Sequence, residues 1–464
     1  MDLFASELNR QHGQPMYRQI YEKIAERIIC GKLCFGEKLP SKKRLAQQLG
    51  VSVITVQTAY DMLSDEGYIQ SRPRSGFYVC RVDPLLTSGR SPQKHRHQQE
   101  PAFRFDLRMN AVDASIFPFK QWAGFMRESI LDGQDFLVVG DTRGDLELRE
   151  SICRYLNTVR GVQCNERQVL VGAGIESLLV MLCQIFDAAR FAVEEPCYPK
   201  VRTVLRNCSK DFSSIALDEE GICIADLERS GADIVYVTPS HQFPTGITMP
   251  IGRRMDLLNW AYRGSKQGEK RYIIEDDFGG EFDLDGRPVR CLQGLDQNAS
   301  VIYIGSFSRV LAPSVRVSYM VLPFDLLEIT ERKFRSYSST VSRFEQQALS
   351  RFLDSDCFLR HVRKTRHALR HKRDVLLELL ERIPVQSRPV CRRESVSSHA
   401  VLRLQKKNAE AFCRQAAERG VRVIRMSDFY ANPRNADGSE ILLGIAAPSE
   451  QDIRLAFDQL FPLF

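Results

Sequence analysis

Hydrophobic and polar positions in the first 80 residues follow helical spacing in three successive segments. The first segment, PMYRQIYEKIAERII at residues 15–29, places its apolar side chains on one helical face, at Tyr17, Ile20, Tyr21, Ile24 and Ile28. Gly31 and Gly36 then interrupt the pattern. The spacing therefore predicts one amphipathic helix near the start of the chain.

Two shorter helices, joined by a GVS turn, follow the first one. Ser41 is a preferred N-cap residue and begins a helix that ends at Gly50. Ser52 caps a third helix, VITVQTAYDMLSDE, which stops before Gly67. Two short helices around such a turn predict a helix-turn-helix. The strand-like runs YIQ and GFYV, on either side of the basic segment SRPRS, predict a wing after it.

Beyond about residue 105 the pattern changes, and helical stretches alternate with short apolar strands. Five such strands lie within the segments VLVGAG, RFAVEEP, DIVYVTP, RYIIEDD and VIYIGSF. This alternation is typical of an α/β domain with a mainly parallel sheet. The chain is thus predicted to hold a winged helix-turn-helix domain at residues 1–82 and a large α/β domain at residues 105–464.

The segment between these domains, residues 83–104, is polar and basic, holds three prolines and shows no periodicity. Such a composition predicts a flexible linker. His95 and His97 lie in it without further metal-binding residues nearby, so they are interpreted as part of a solvated basic stretch. No metal site is predicted.

Composition agrees with a globular protein of more than one domain. The chain has 464 residues, of which 43% are hydrophobic and 27% charged, and no apolar run reaches the length of about 20 residues that spans a bilayer. The N-terminal MDLFASELNRQHGQ has no basic segment followed by an apolar core, so no secretion signal is expected. Thirteen cysteines without CxxC spacing indicate reduced thiols, and a cytoplasmic location is predicted.

The net charge of +7 is concentrated at the N-terminus. Residues 1–80 hold 11 Lys and Arg against 8 Asp and Glu, and residues 81–104 hold 5 against 2. A basic module joined to a nearly neutral one indicates an anionic partner for the N-terminal module. An ordinary solvated surface would explain the charge alone equally well.

The third helix is the candidate for reading DNA. Its outward positions lie near the N-terminal end, which enters the major groove in this motif, and Gln57 is of the type that pairs with an adenine edge. A single basic residue is usually a solvated charge, but basic residues on both flanks of one recognition helix favour phosphate contacts. The predicted DNA-binding residues are Lys42, Lys43, Arg44, Ser52, Thr55, Gln57, Thr58, Arg72 and Arg74.

Residues 15–80 resemble the winged-helix domain of GntR-type bacterial transcription regulators, from PMYRQIYEKIAERIICGKL to the final GFYV. The resemblance implies that this module binds double-stranded promoter DNA. One departure concerns Val53, which stands after GVS where the family often has an arginine. This departure removes a usual contact to phosphate or base.

The ends of the predicted strands resemble those of fold-type I aminotransferases, which use pyridoxal 5′-phosphate (PLP). The segments VEEPCYP, TPSHQFPTG, IIEDDFGGEFDLDGRP and GSFSRVLAPSVRVSY carry the likeness, together with DGRPVRCLQGLD. Behind a GntR-type winged helix, the whole chain is similar to the MocR subfamily of regulators. The resemblance implies a winged helix-turn-helix domain, a fold-type I PLP-dependent aminotransferase-like domain and a homodimer.

The resemblance also implies which residues would meet PLP. Asp276 matches the partner of the ring nitrogen, with its neighbour Asp277 less favoured, and Tyr198 matches the aromatic residue on the ring. Arg309, however, stands where the family has the Schiff-base lysine, and a guanidinium cannot form that imine. The predicted cofactor-site residues are Gly174, Tyr198, Asp276, Ser306, Ser308, Arg309 and Arg316, the two serines and Arg316 as phosphate ligands.

Further departures argue against catalysis, and no catalytic residue is predicted. Phe278 replaces a usual tyrosine, Ile175 and Glu176 replace two glutamines, and Leu442 replaces an arginine that holds the substrate carboxylate. A working aminotransferase with a DNA-binding domain is therefore disfavoured.

Two roles remain open for the large domain. With Ser306, Ser308 and Arg316, Arg309 would hold non-covalent PLP or another small anionic effector. Alternatively, Arg309 fills the cofactor space by pairing with Glu176 or Asp276, which leaves a structural dimerisation domain without a ligand.

Overall fold

A computed structural model describes residues 14–73, 75–81, 103–109, 111–266, 270–282, 284, 290–405 and 408–464. The chain divides into two compact units, residues 1–100 and 101–464. The predicted linker lies outside the described residues except for residues 103 and 104, and so do His95 and His97. The boundaries at residues 82 and 105 therefore stay a prediction.

In residues 14–73 and 75–81, the N-terminal unit contains three helices and one hairpin, as the sequence predicts. The helices are α1 (Met16–Ile29), α2 (Lys42–Leu49) and α3 (Val53–Asp65), and the antiparallel hairpin pairs β1 (Ile69–Arg72) with β2 (Gly76–Val79). Ser41 and Ser52 cap α2 and α3, each accepting a hydrogen bond from a backbone N–H of the first turn. Gly50 ends α2 with φ at 62°, a conformation that glycine adopts without strain.

The core of this unit joins all three helices to the hairpin. Ile20 and Ile24 of α1 pack with Val56, Tyr60 and Leu63 of α3, and all five are almost fully buried. The 3–4 residue spacing of these positions brings them to one face of each helix. The opposite face of α3 is left toward solvent at its N-terminal end.

The large unit contains twelve α-helices among the residues that the structure describes. They are α4 (Phe119–Leu131), α5 (Leu146–Tyr155), α6 (Ile175–Ile185), α7 (Pro199–Asn207), α8 (Ile224–Ser230), α9 (Ile251–Lys266), α10 (Phe307–Val310), α11 (Leu327–Phe334), α12 (Arg343–Asp354), α13 (Asp356–Glu381), α14 (Ala409–Glu418) and α15 (Glu450–Leu460). None of the described helices is both long enough and apolar enough to cross a membrane.

In the part of the chain that the structure describes, its strands form one large sheet, a smaller C-terminal sheet and one two-stranded pair. The strands are β3 (Phe105–Asp106), β4 (Val169–Gly172), β5 (Phe191–Glu195), β6 (Phe212–Asp218), β7 (Gly221–Ile222), β8 (Ile234–Val237), β9 (Tyr272–Asp276), β10 (Val301–Ser306), β11 (Ser318–Val321), β12 (His399–Arg403), β13 (Val421–Arg422), β14 (Ile424–Arg425) and β15 (Glu440–Gly444). The smaller sheet has the order β12-β15-β14, and β13 pairs with β3.

The large sheet has eight strands in the order β4-β11-β10-β9-β8-β5-β6-β7. The pairs β6/β5, β5/β8, β8/β9 and β9/β10 are parallel, which confirms the predicted α/β character. The sequence missed β11, which runs antiparallel to both β10 and β4. Both faces of the sheet are buried, because alternate residues of β10 join different apolar clusters. The carboxyl ends of β8, β9 and β10 therefore meet at one edge.

Candidate functional site

The N-terminal end of α3 presents apolar side chains to solvent. Val53 is 44% exposed and Ile54 is 77% exposed. The hydroxyls predicted to touch DNA are used within the helix, since Thr55 Oγ1 lies 2.8 Å from Ser52 Oγ and Thr58 Oγ1 donates to the Ile54 carbonyl at 3.1 Å. Methyl groups are thus what this end of the helix offers to a partner.

Gln57 is held by a small network of side chains from α3 and α2. Its Nε2 donates to both carboxylate oxygens of Asp61, at 2.6 and 2.8 Å, and its Oε1 accepts from Lys42 Nζ. The Lys42 ammonium also lies 4.7 Å from the ring centroid of Phe77 in the wing. Sequence reasoning missed Asp61, although the four-residue spacing from Gln57 was a usable signal.

The other predicted phosphate contacts are distributed over α2 and the wing. Lys43 and Arg44 are exposed on α2. The Arg72 guanidinium lies 4.5 Å from the ring centroid of Tyr78, which also has Lys38 5.8 Å away. Lys38 was not among the predicted residues, and Arg74 lies outside the described residues. Basic side chains thus lie on α2 and on the wing.

A second group of predicted residues lies at the carboxyl ends of the parallel strands, where open α/β sheets bind ligands. β9 ends at Asp276, and β10 ends at Ser306, where α10 begins at once. The two strands run parallel with Ile304 opposite Asp276. The fold therefore places Asp276, Ser306 and Arg309 at one edge of the sheet.

Asp276 is a buried acid with one strong hydrogen-bond donor. Tyr236 of β8 donates its hydroxyl to the Asp276 carboxylate. Burial raises the pKa of Asp276 to about 7, and the neighbouring charge of Asp277 adds to the effect. Asp277 itself is bound bidentately by Arg160 at 2.7 and 2.8 Å, so its pKa is lowered despite its burial. An arginine thus binds Asp277 bidentately, whereas Asp276 accepts its hydrogen bond from a tyrosine.

Arg309 rests on an aromatic ring. Its guanidinium carbon lies 3.8 Å from the centroid of Phe278, and it donates to Ser398 Oγ. Burial lowers the pKa of Arg309 to about 10, while the charge of Asp276 acts in the opposite direction. Two carboxylates were possible partners of Arg309. The charge of Asp276 raises the pKa of Arg309, whereas Glu176 binds other cations. Of the two partners that the sequence left open for Arg309, Glu176 is thus bound by Arg316 and Lys200 instead.

Glu176 lies in the first turn of α6 between two cations. Its carboxylate accepts from Arg316 at 2.7 Å and from Lys200 Nζ at 2.5 Å. These cations lower the pKa of Glu176 to about 2, although its partial burial acts to raise it. At Gly174, which has φ at +85°, a Cβ would lie 2.3 Å from the Arg316 guanidinium. Gly174 thus leaves room for the ion pair, and sequence reasoning missed Lys200.

The two predicted phosphate-binding serines bind other groups of the chain. Ser306 Oγ accepts from the Ser308 N–H at 3.3 Å and from Ser318 Oγ at 2.8 Å. Ser308 Oγ donates to the Val315 carbonyl at 2.7 Å. These bonds tie α10 to the segment that follows it. Since Arg316 binds Glu176 and Arg309 binds Ser398, all four predicted anion ligands have partners within the protein.

Aromatic and imidazole rings form the wall beside Arg309. Phe243 lies 4.6 Å from Phe278, 5.8 Å from Tyr198 and 5.4 Å from His399, measured between ring centroids. Burial lowers the pKa of His399 to about 4 and that of His241 to about 3, with the charge of Arg309 adding to both effects. Both imidazoles are therefore neutral near pH 7. Sequence reasoning named neither histidine.

Leu442, which replaces the arginine that holds the substrate carboxylate in aminotransferases, lies in a closed apolar region. Leu442 on β15 is fully buried, and it packs in a cluster with Phe243, Met426 and Phe429. This cluster lies against Tyr198 and Phe278. The wall that faces the aromatic rings on this side is thus hydrocarbon.

Comparisons with known families and structures agree with this architecture. The family described as bacterial regulatory proteins, gntR family, matches residues 16–79. The family described as aminotransferase class I and II matches residues 106–460, which is more than half of the chain. The structure of Pyrococcus horikoshii kynurenine aminotransferase superposes with a TM-score of 0.68 at 23% identity, covering 78% of this chain and 90% of that chain. These matches show a winged helix followed by a fold-type I aminotransferase domain.

Curated relatives match along most or all of the chain. YdeL of Bacillus subtilis (strain 168), described as an uncharacterized HTH-type transcriptional regulator, is 37% identical over 98% of this chain and 97% of its own. The probable rhizopine catabolism regulatory protein MocR of Rhizobium meliloti is 30% identical over 81% of this chain and 79% of its own. The pyridoxine biosynthesis regulator PdxR of Corynebacterium glutamicum is 29% identical over 96% and 95%. The chain belongs to the MocR subfamily of GntR-type transcription regulators, in which a winged helix is joined to an aminotransferase-like domain.

Proposed function

We propose that this protein regulates transcription by binding double-stranded promoter DNA through α3 and the wing, and that its large domain dimerises without catalysing transamination. The observation that carries the proposal is Arg309, which lies at the carboxyl ends of the parallel strands on the ring of Phe278. Because bacterial promoters lie in the cytoplasm, the proposal includes a cytoplasmic location.

The loss of transamination follows from the chemistry of that residue. A guanidinium keeps its proton and cannot form an imine with a carbonyl, so Arg309 supplies neither the covalent anchor nor the proton shuttle of a PLP enzyme. Leu442 adds to this, because a buried leucine cannot bind the carboxylate of an amino acid. PLP bound at this site would therefore have no imine to residue 309.

Dimerisation is supported by apolar side chains that remain exposed in the single chain. Six large apolar residues between α4 and residue 139 are each at least 60% exposed: Phe119, Ile130, Leu131, Leu137, Val138 and Val139. Exposed apolar patches of this kind mark interaction surfaces, since water contact is costly for them. We assign this segment to the interface between two copies of the chain.

Two measurements on the purified protein test the proposal together. Selection from a random double-stranded oligonucleotide library is expected to enrich one sequence motif with two half-sites, because each copy contributes one α3. Incubation with PLP, a panel of amino acids and 2-oxoglutarate is expected to give no keto acid product above the protein-free control. A library that shows no enrichment would remove the DNA-binding role, and turnover of any amino donor would remove the loss of catalysis.

A further inference from the structure

We infer that the large domain carries its own replacement for the charges of PLP, with Glu176 in place of the phosphate and Arg309 in place of the cationic ring, so that it functions without a phosphorylated cofactor. The inference rests on the proposed function, because it concerns the same non-catalytic site. Of the roles that the sequence left open for the domain, the binding of non-covalent PLP is thereby disfavoured.

The anion side is built from three elements that converge on one carboxylate. Lys200 lies on α7, Arg316 precedes β11, and both bind the two oxygens of Glu176. The N-terminus of α6, an eleven-residue helix, adds the positive end of its dipole in the first turn, where Glu176 lies. Two cations and a helix N-terminus are the usual ligands of a phosphate group. Here the chain itself supplies the anion.

Gly174 shows that this arrangement is close-packed. A Cβ at residue 174 would lie 2.7 Å from the guanidinium carbon of Arg316 and 2.9 Å from a carboxylate oxygen of Glu176. The ion pair therefore occupies the space directly over the start of α6. A phosphate entering here would bring about two negative charges against Glu176, and it would have to displace that carboxylate from both of its cations.

The cation side is built around Asp276. Its carboxylate accepts from Tyr236 and faces the charge of Arg309 within a buried environment. PLP would bring a protonated ring nitrogen to such a carboxylate. Arg309 supplies an equivalent positive charge, and the Phe278 ring stabilises the guanidinium from one side. The cation therefore belongs to the chain as well.

The variant that tests the inference is Glu176→Gln, which keeps the shape of the side chain and removes its charge. Glu378→Gln is the matched control, because Glu378 also lies between two cations, Arg382 and Arg454, on the surface of the same domain. The probe is pyridoxamine 5′-phosphate, the amine form, which cannot form an imine with surface lysines. Pyridoxamine without phosphate serves as the second probe, and inorganic phosphate as the third.

Calorimetric titration of the full-length protein gives the affinities. Wild type and Glu378→Gln are expected to show no saturable binding of any probe. Glu176→Gln is expected to bind inorganic phosphate and pyridoxamine 5′-phosphate saturably, at least about tenfold more tightly than the weakest affinity that the titration detects, because Arg316 and Lys200 then lack an anion. Pyridoxamine is expected to gain nothing.

Two results would overturn the inference. The first is saturable, dialysis-reversible binding of pyridoxamine 5′-phosphate by the wild-type protein, which needs no variant and therefore decides even where Glu176→Gln does not fold. The second is a folded Glu176→Gln that gains no affinity for phosphate. Neither result affects the proposed function, since that would fail only through absent DNA selection or through amino-donor turnover.

Discussion

At the scale of single residues, the chain places several ionisable side chains where burial controls their protonation. Asp276 is the clearest, since burial raises its pKa from 3.8 to about 7. A folded-state pKa above the unfolded value means that the protonated acid stabilises the fold. That stability is full below the unfolded pKa and is lost as the pH rises through the folded pKa.

Asp276→Asn removes this pH dependence because an amide has no proton to lose. From pH 5 to pH 8, the free energy of unfolding of the large domain is expected to fall in wild type by on the order of 2 kcal/mol more than in the variant. Chemical denaturation at the two pH values measures it. Asp187→Asn, at an exposed carboxylate, is the control and should show no such difference. An equal pH dependence in wild type and Asp276→Asn would contradict the assignment.

Gln57 is the residue whose replacement should change sequence preference. Gln57→Ala is expected to relax discrimination at one base pair by about 1–3 kcal/mol while affinity for random DNA changes little. Competition binding with the selected motif and its single-base variants measures both quantities. Asp61→Ala is the companion variant, because it frees the Gln57 amide without removing it. Equal losses on specific and random DNA after Gln57→Ala would count against base contact.

At the scale of elements, α2 and the wing flank α3 with basic side chains. Lys43 extends from α2 and Arg72 from β1. Phosphate contacts release counterions from DNA, so each lost contact reduces the dependence of affinity on salt.

Lys43→Ala combined with Arg72→Ala is therefore expected to weaken binding and to lower the slope of log affinity against log salt by about 2. Fluorescence anisotropy at a series of salt concentrations measures the slope. Arg229→Ala, an exposed arginine of the large unit, is the control. An unchanged slope in the double variant would remove both residues from the phosphate contacts.

At the scale of the whole molecule, the exposed apolar segment from Phe119 to Val139 is the proposed interface between two copies of the chain. Leu131→Glu combined with Val139→Glu is expected to convert a dimer into a monomer, because two charges would be buried without partners in the interface. Sedimentation equilibrium measures the mass. Val385→Glu, at an equally exposed valine elsewhere, should leave the mass unchanged. A double variant that remains dimeric would place the interface on another surface.

The sequence alone determined the elements of the N-terminal unit and five of the eight strands described in the large sheet. Helical spacing located α1 and α3, serine and glycine marked the ends of α2, and apolar runs located five strands of the large sheet. These features depend on neighbours within a few positions along the chain, so a linear pattern contains them. The same applies to Arg309, whose inability to form an imine follows from its side chain alone.

Only the tertiary structure decided what the site residues bind. Glu176 meets Arg316, 140 positions away, and Arg309 meets Ser398, 89 positions away. No periodicity relates such pairs, because their proximity results from the order of strands in the sheet and from the path of the connections. The sequence therefore showed Glu176 only as the replacement of a glutamine, and the fold placed its carboxylate between two cations.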